Sequence, residues 1–276
     1  LERAATFKDA LKIAKASEAM GTFALLIADG KMRQAAIVEM TPQGAYVRQS
    51  AGSWIAMTNH LQHKKLAGDA RNDWVRRYTP SEARYARLKQ LLTRFSGRID
   101  PATAAIILRN HTGDDDEPLG LGHRSTLDSL RAEHGVIVDL TDLILWVPRP
   151  PHLLGTMVAV DLKPGFGLVQ EANANMQEVG ADPLLGTVAL RRYDLVRDQL
   201  DYAQRLRDAG AIPAAIDYGR RAVDGAPKLP EARLLLGDIL WTSNRRGKAR
   251  REYEAFLKLS PPYQEDAERV RRRLTQ

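Results

Sequence analysis

The chain has 276 residues, 44% of them hydrophobic and 27% charged, with a formal net charge of +7 and no cysteine. That length holds one large domain or two ordinary ones with a real core, and the composition excludes a disordered chain. No apolar run approaches the roughly 18 residues of a membrane helix, and the chain carries no disulfide, thiolate metal site or cysteine nucleophile of its own.

From the start, residues 6–20 place Phe7, Ala10, Leu11 and Ala14 at helical spacing, with Gly21 as a stop. Four short β-favouring runs follow, at 22–29, 34–40, 45–49 and 53–58, with Gly30 and Gly44 in two of the gaps. Gaps this short predict an antiparallel meander, because parallel neighbours need crossover helices. The fourth run stops in Thr58-Asn59-His60, three polar side chains in a row. That is either a strand end turning into solvent or the edge of an active site.

Two helices come next. One has Thr79 as its cap, Pro80 at the first helical position and Glu82 three after the cap, with Tyr85, Leu88, Leu91 and Leu92 facing inward. The other runs from Asp100-Pro101 to about Asn110. After an acidic loop at 113–118, read as solvated, strand runs appear at 135–140, 143–148 and 156–162. Strands, helices and strands again predict a layered α+β domain over 1–165. Residues 166–190 read as a linker.

From 191 to 276 the pattern is helical and repeats. At an offset of 34 residues Ala249 falls on Ala215, Pro261 on Pro227 and Leu240 on Leu206. This period resembles the tetratricopeptide repeat, as do the small residues Gly237 and Ala249, Tyr253 four after Ala249, and the closing Pro261. Two repeats and a capping helix at 264–274 fall short of the three an independent solenoid needs. The tail is read as a structural appendage of the first domain or as a groove for a protein partner. Its basic runs, 245–252 and 269–273, lack interleaved aromatics and read as solvated helix faces, so no nucleic-acid partner is expected.

The first half carries a second resemblance. It strings together a strand ending "ADG", one ending "VE", "WIAMTNH", then "SEARYARLKQLL", "GHRSTLDSL" and a strand pair ending in prolines. Over about residues 5–165 this is similar to the acyl-coenzyme A:6-aminopenicillanate acyltransferase family, autoprocessing N-terminal-nucleophile hydrolases with an αββα sandwich. The resemblance implies nucleophilic attack on a small-molecule acyl amide or thioester, with no metal or cofactor. In such proteins a cysteine freed by self-cleavage attacks the carbonyl, with its own amino group as base.

Two site residues carry over. Asn59 takes the place of the oxyanion-hole amide, the strand-end turn former being its other reading. Arg84 takes the place of a cation beside the nucleophile, against a simple ion pair with Glu82, and Arg87 competes for the role. Asn110 before His111, and Gly122 in place of a cysteine, depart from the family's pattern. The nucleophile itself is missing. It sits on a companion N-terminal chain, belonged to a longer precursor, or was lost in a descendant that binds partners through its tail without catalysis.

Overall fold

The computed structural model describes residues 3–50, 52–167 and 176–276. Helix α1 (Phe7–Ala16) precedes a three-stranded antiparallel sheet of β1 (Phe23–Asp29), β2 (Gln34–Thr41) and β3 (Gly44–Gln49), in that spatial order. Thr6 caps α1 by accepting from the Asp9 N–H. The helix then buries Ala14 against Val38 and Met40 on one face of the sheet.

Helices α2 (Ala70–Tyr78), α3 (Ser81–Arg94) and α4 (Pro101–Leu108) follow, then a second antiparallel sheet of β4 (Ile137–Asp139), β5 (Ile144–Pro148) and β6 (Met157–Asp161). Asp100 caps α4 by accepting from Thr103 N at 2.7 Å, with Pro101 set at the first turn where its missing N–H costs nothing. Ala105 of α4 packs on Ile144, Trp146 and Met157. The opposite face of this sheet presents Val138, Val147 and Val160, all exposed.

The two sheets touch through twin turns. Asp29 Oδ1 accepts from Lys31 N and Met32 N at 2.9 and 3.0 Å, and Asp139 Oδ1 from Thr141 N and Asp142 N at 2.7 and 3.1 Å. Each turn closes on a left-handed residue, Arg33 in one and Leu143 in the other. A Cβ on Gly30 would lie 2.1 Å from the Leu140 carbonyl oxygen, so only glycine lets the two turns nest.

The expected fourth strand, 53–58, is not one. Its carbonyls are taken by side chains instead: Ser50 Oγ donates to Trp54 O, and Arg48 Nη2 donates to Ala56 O at 2.7 Å. With those acceptors engaged the segment pairs with no strand among the described residues. Nor does Thr79 open α3 as an N-cap. It ends α2, and the helix begins at Ser81 after Pro80, with Thr79 Oγ1 accepting only weakly from Ser81 N at 3.3 Å.

The rest is helical: α5 (Val188–Asp208), α6 (Ile212–Gly225), α7 (Pro230–Thr242), α8 (Arg246–Leu257) and α9 (Gln264–Leu274). Helices α5 and α6 pair, as do α7 and α8. A Cβ on Gly237 would come within 2.6 Å of the Tyr253 ring, which explains a glycine at that crossing. The helical core also takes in Leu130 and Leu154 from the preceding part. Gly122, left-handed at φ +80°, leaves no room for a side chain beneath the Tyr193 ring. Part of the expected linker, 168–175, lies outside the described residues. Past it, Val179 bridges Met157 in antiparallel fashion and Asp182 N donates to Leu154 O at 2.7 Å. No helix among the described residues is long and apolar enough to cross a membrane.

Candidate functional site

The polar triplet that ends the 53–60 segment is a clasp onto the start of α3. Ser81, the first residue of that helix, donates from Oγ to Thr58 Oγ1 at 3.0 Å. Thr58 Oγ1 in turn donates to Ser81 O at 3.0 Å. His60 Nδ1 lies 2.9 Å from Ser81 Oγ, and its ring stands edge-on to Tyr85 at 5.6 Å between centroids. Ser81 and His60 are buried, and burial holds the His60 imidazole below its ordinary pKa, so it stays neutral at physiological pH. The clasp grips both neighbours of Asn59 and leaves Asn59 itself exposed between them.

A second anchor lies under the same segment. The Glu39 carboxylate on β2, 1% exposed, accepts from Gln62 N at 2.9 Å, His63 N at 2.8 Å and Arg48 Nε at 3.2 Å. Two backbone donors and a guanidinium together offset the cost of burying that charge. Sheet, extended segment and helix are thereby tied together around Asn59.

Arg84 stands one turn into α3, on the Asn59 side. Its Nη2 donates to Asn59 Oδ1 at 2.6 Å. A guanidinium has donors and no acceptor, so this bond fixes the amide with its oxygen toward Arg84 and its NH2 pointing away. Among the described residues Asn59 Nδ2 has no hydrogen-bond acceptor, and it remains free to donate outward. Arg84 does not pair with Glu82, which bonds Arg76 at 2.5 Å. Its Nε is buried without an acceptor. Burial pulls the guanidinium pKa below its ordinary value, with Tyr263 acting against the shift and Arg124 adding to it.

Arg87 is committed elsewhere. It is 1% exposed and donates to Asn110 Oδ1 at 3.0 Å, Thr112 Oγ1 at 2.8 Å and Asp116. Arg94 holds the second Asp116 oxygen at 2.8 Å, and the carboxyl is held down at about 2 by these two hydrogen bonds. The acidic loop is thus pinned to α3. Asn110, one of the two departures from the family's pattern, is a ligand of that buried arginine. His60 and His63 line one cavity, and the His63 ring lies tilted against Tyr46 at 5.3 Å. Among the described residues no three His, Asp or Glu side chains are grouped to hold a metal ion. A cavity of about 230 Å3 beside His60 is lined by Gln62, Arg76, Glu82 and Tyr85, and neither Asn59 nor Arg84 is in its wall.

The structure therefore brings the two sequence-selected residues, Asn59 and Arg84, into direct contact. Thr58, His60 and Ser81 hold them there and were not singled out as a unit. The signal was the unbroken polar triplet at the end of an apolar run. Arg109, also not singled out, is a buried structural tie. It donates to the carbonyls of Leu153, Gly155 and Gly180 at 2.7, 2.7 and 2.8 Å.

No curated protein and no solved structure matches the chain. Residues 1–119, which carry the clasp, Asn59 and Arg84, are similar to the family described as acyl-coenzyme A:6-aminopenicillanic acid acyl-transferase, whose model matches that stretch.

Proposed function

We propose that residues 1–165 are the C-terminal portion of an N-terminal-nucleophile hydrolase or acyltransferase domain, acting on an acyl amide or thioester. The observation that carries this is the Arg84–Asn59 bond at 2.6 Å, which aims the Asn59 amide outward as a fixed donor. A preorganised neutral N–H is what a tetrahedral oxyanion needs, since it requires no reorientation as charge develops. The nucleophile is a cysteine on an upstream segment or companion chain, as this chain has none. Arg84 lies close enough to Asn59 to stabilise its thiolate as well. The uncovered aliphatic face of the second sheet, Val138, Val147 and Val160, supports a sandwich completed by further strands. The helical part is tetratricopeptide-like in this reading. The same 34-residue offset sets the start of α9, Gln264, against the start of α7, Pro230.

The test is acyl release from amide and thioester substrates by the full-length protein together with any upstream segment. Asn59→Ala is expected to lower kcat about 100- to 1000-fold with KM little changed. An unchanged kcat would remove Asn59 from the chemistry. If no upstream cysteine is encoded and no acyl release occurs, the tail as a protein-binding scaffold becomes the better reading.

A further inference from the structure

The helical part ends differently on its two sides. Helix α5 packs on α6 and α7, α7 pairs with α8, and α9 closes against α8. On α9 the exposed residues are polar: Gln264, Glu265, Arg271 and Arg272. The end helix of a stack needs such a face, because nothing but water lies beyond it. On α5, at the other end, three apolar side chains stand out instead. Val188, Leu195 and Tyr202 are 64%, 60% and 53% exposed. Their spacing of seven residues is two helical turns less about 20°, so they fall on one line along the helix. The face turned inward is separate, with Leu190, Tyr193, Val196 and Ala203 buried in the helical core. Scattered apolar side chains on a surface need no partner, whereas a heptad-spaced line is the pattern by which helices pair. Tyr202 is also held ready, its ring lying 5.4 Å from that of Tyr218 on α6.

The charges beside this line are sorted by sign. Arg191 and Arg192 flank its first half and Asp198 and Asp201 its second, with Asp194 and Arg205 offsetting one charge in each. All six are exposed, and among the described residues none of them forms an ion pair. A second α5 laid parallel would set arginine on arginine and aspartate on aspartate. Laid antiparallel, it sets the arginine half of each helix beside the aspartate half of the other, twice over by symmetry. We propose that α5 is the face by which two copies of this chain pair, antiparallel and two-fold about Leu195. Leu195 then meets its own counterpart, and Val188 of each copy meets Tyr202 of the other. The proposal stands apart from the acyl-transfer reading and does not depend on it. A helix of 21 residues is about 31 Å long. A seam of that length is small beside the roughly 800 Å2 per partner of a standard interface, so the dimer is weak.

The experiment is sedimentation equilibrium of the full protein across a concentration series at fixed ionic strength. A monomer–dimer equilibrium is expected, with Kd on the order of 10–100 μM. Leu195→Glu, at an exposed position, should weaken it by about tenfold or more while leaving the thermal midpoint unchanged. Arg191→Glu/Arg192→Glu sets acid against acid, and Asp198→Arg/Asp201→Arg sets base against base. Each double variant alone should therefore dimerise about tenfold more weakly, and an equimolar mixture of the two should recover dimer near the wild-type level. If Leu195→Glu lowers the thermal midpoint, the mixed charge variants carry the comparison. A chain that stays monomeric throughout would give this face to another occupant and overturn the proposal. A dimer indifferent to Leu195→Glu would overturn it too, as would a mixture no better than either charge variant by itself.

Discussion

Arg84 occupies the Asn59 side-chain oxygen at 2.6 Å, which is what the proposed oxyanion-donor role of Asn59 requires. The clasp behind it depends on a neutral His60. Burial holds the folded-state pKa of His60, and of His123, below that of an ordinary imidazole. Below about pH 6.5 the unfolded chain takes up protons that the folded chain refuses, so stability falls as pH drops toward the lowered values. Asp128, pushed up from its ordinary value by burial, acts in the opposite sense as pH rises above about 4. The two effects separate in a comparison of wild type with His60→Gln/His123→Gln by denaturant unfolding at several pH values. The variant should lose the decline that sets in below about pH 6.5. Parallel curves would mean these imidazoles are not held neutral. Asn59 and Arg84 were singled out in the sequence through the order of short motifs around them, and the structure shows them hydrogen-bonded to each other. Their clasp was not, because Thr58 and Ser81 lie 23 residues apart and no periodicity links them.

At the scale of elements, capped and periodic segments were readable: Asp100 before α4, the alternating apolar runs of both sheets, and the glycine-marked helix crossing at Gly237. Two elements were not. Segment 53–58 has strand composition but gives its carbonyls to Ser50 and Arg48, and α2 is largely polar, with one fully buried residue, Asn72, that bonds the Leu61 backbone. What fixes such segments is buried polar bonding, and its removal should be costly. Glu39→Ala leaves two backbone N–H groups and Arg48 without their acceptor and is expected to cost about 3–5 kcal/mol in urea unfolding. A loss under about 1 kcal/mol would show that water replaces the carboxylate. Two glycines in the helical part should respond in opposite directions. Gly237→Ala drives a methyl to 2.6 Å from Tyr253 and should destabilise by about 1–3 kcal/mol. Gly247→Ala enters open space on α8 and should stabilise by about 0.5 kcal/mol. Equal effects would show that the α7–α8 crossing is loose.

Across the whole molecule, the first part has apolar clusters of its own but also lends residues to the helical core. Leu130 and Leu154 sit among the helices, and Gly122 lies against Tyr193. His123 Nε2 reaches Leu259 O at 3.3 Å, and Trp74 Nε1 on α2 donates to Glu265 on α9 at 3.2 Å. Shared cores of this kind unfold together. Scanning calorimetry should therefore show one transition, with the calorimetric and van't Hoff enthalpies in agreement, and two resolved transitions would contradict the shared core. The sequence revealed where the composition changes but not this interlocking, because contacts spanning about a hundred residues leave no local pattern.

The interlocking has a cost in time. Leu130 waits for Val270, 140 residues further along the chain, before the core it belongs to is complete. At roughly 5–20 residues per second of synthesis, that delay is roughly 7–28 s. Until the tail emerges, Leu130 and Leu154 lack the helical partners that bury them. A chaperone, or a neighbouring nascent chain, has that long to engage these side chains before the tail covers them.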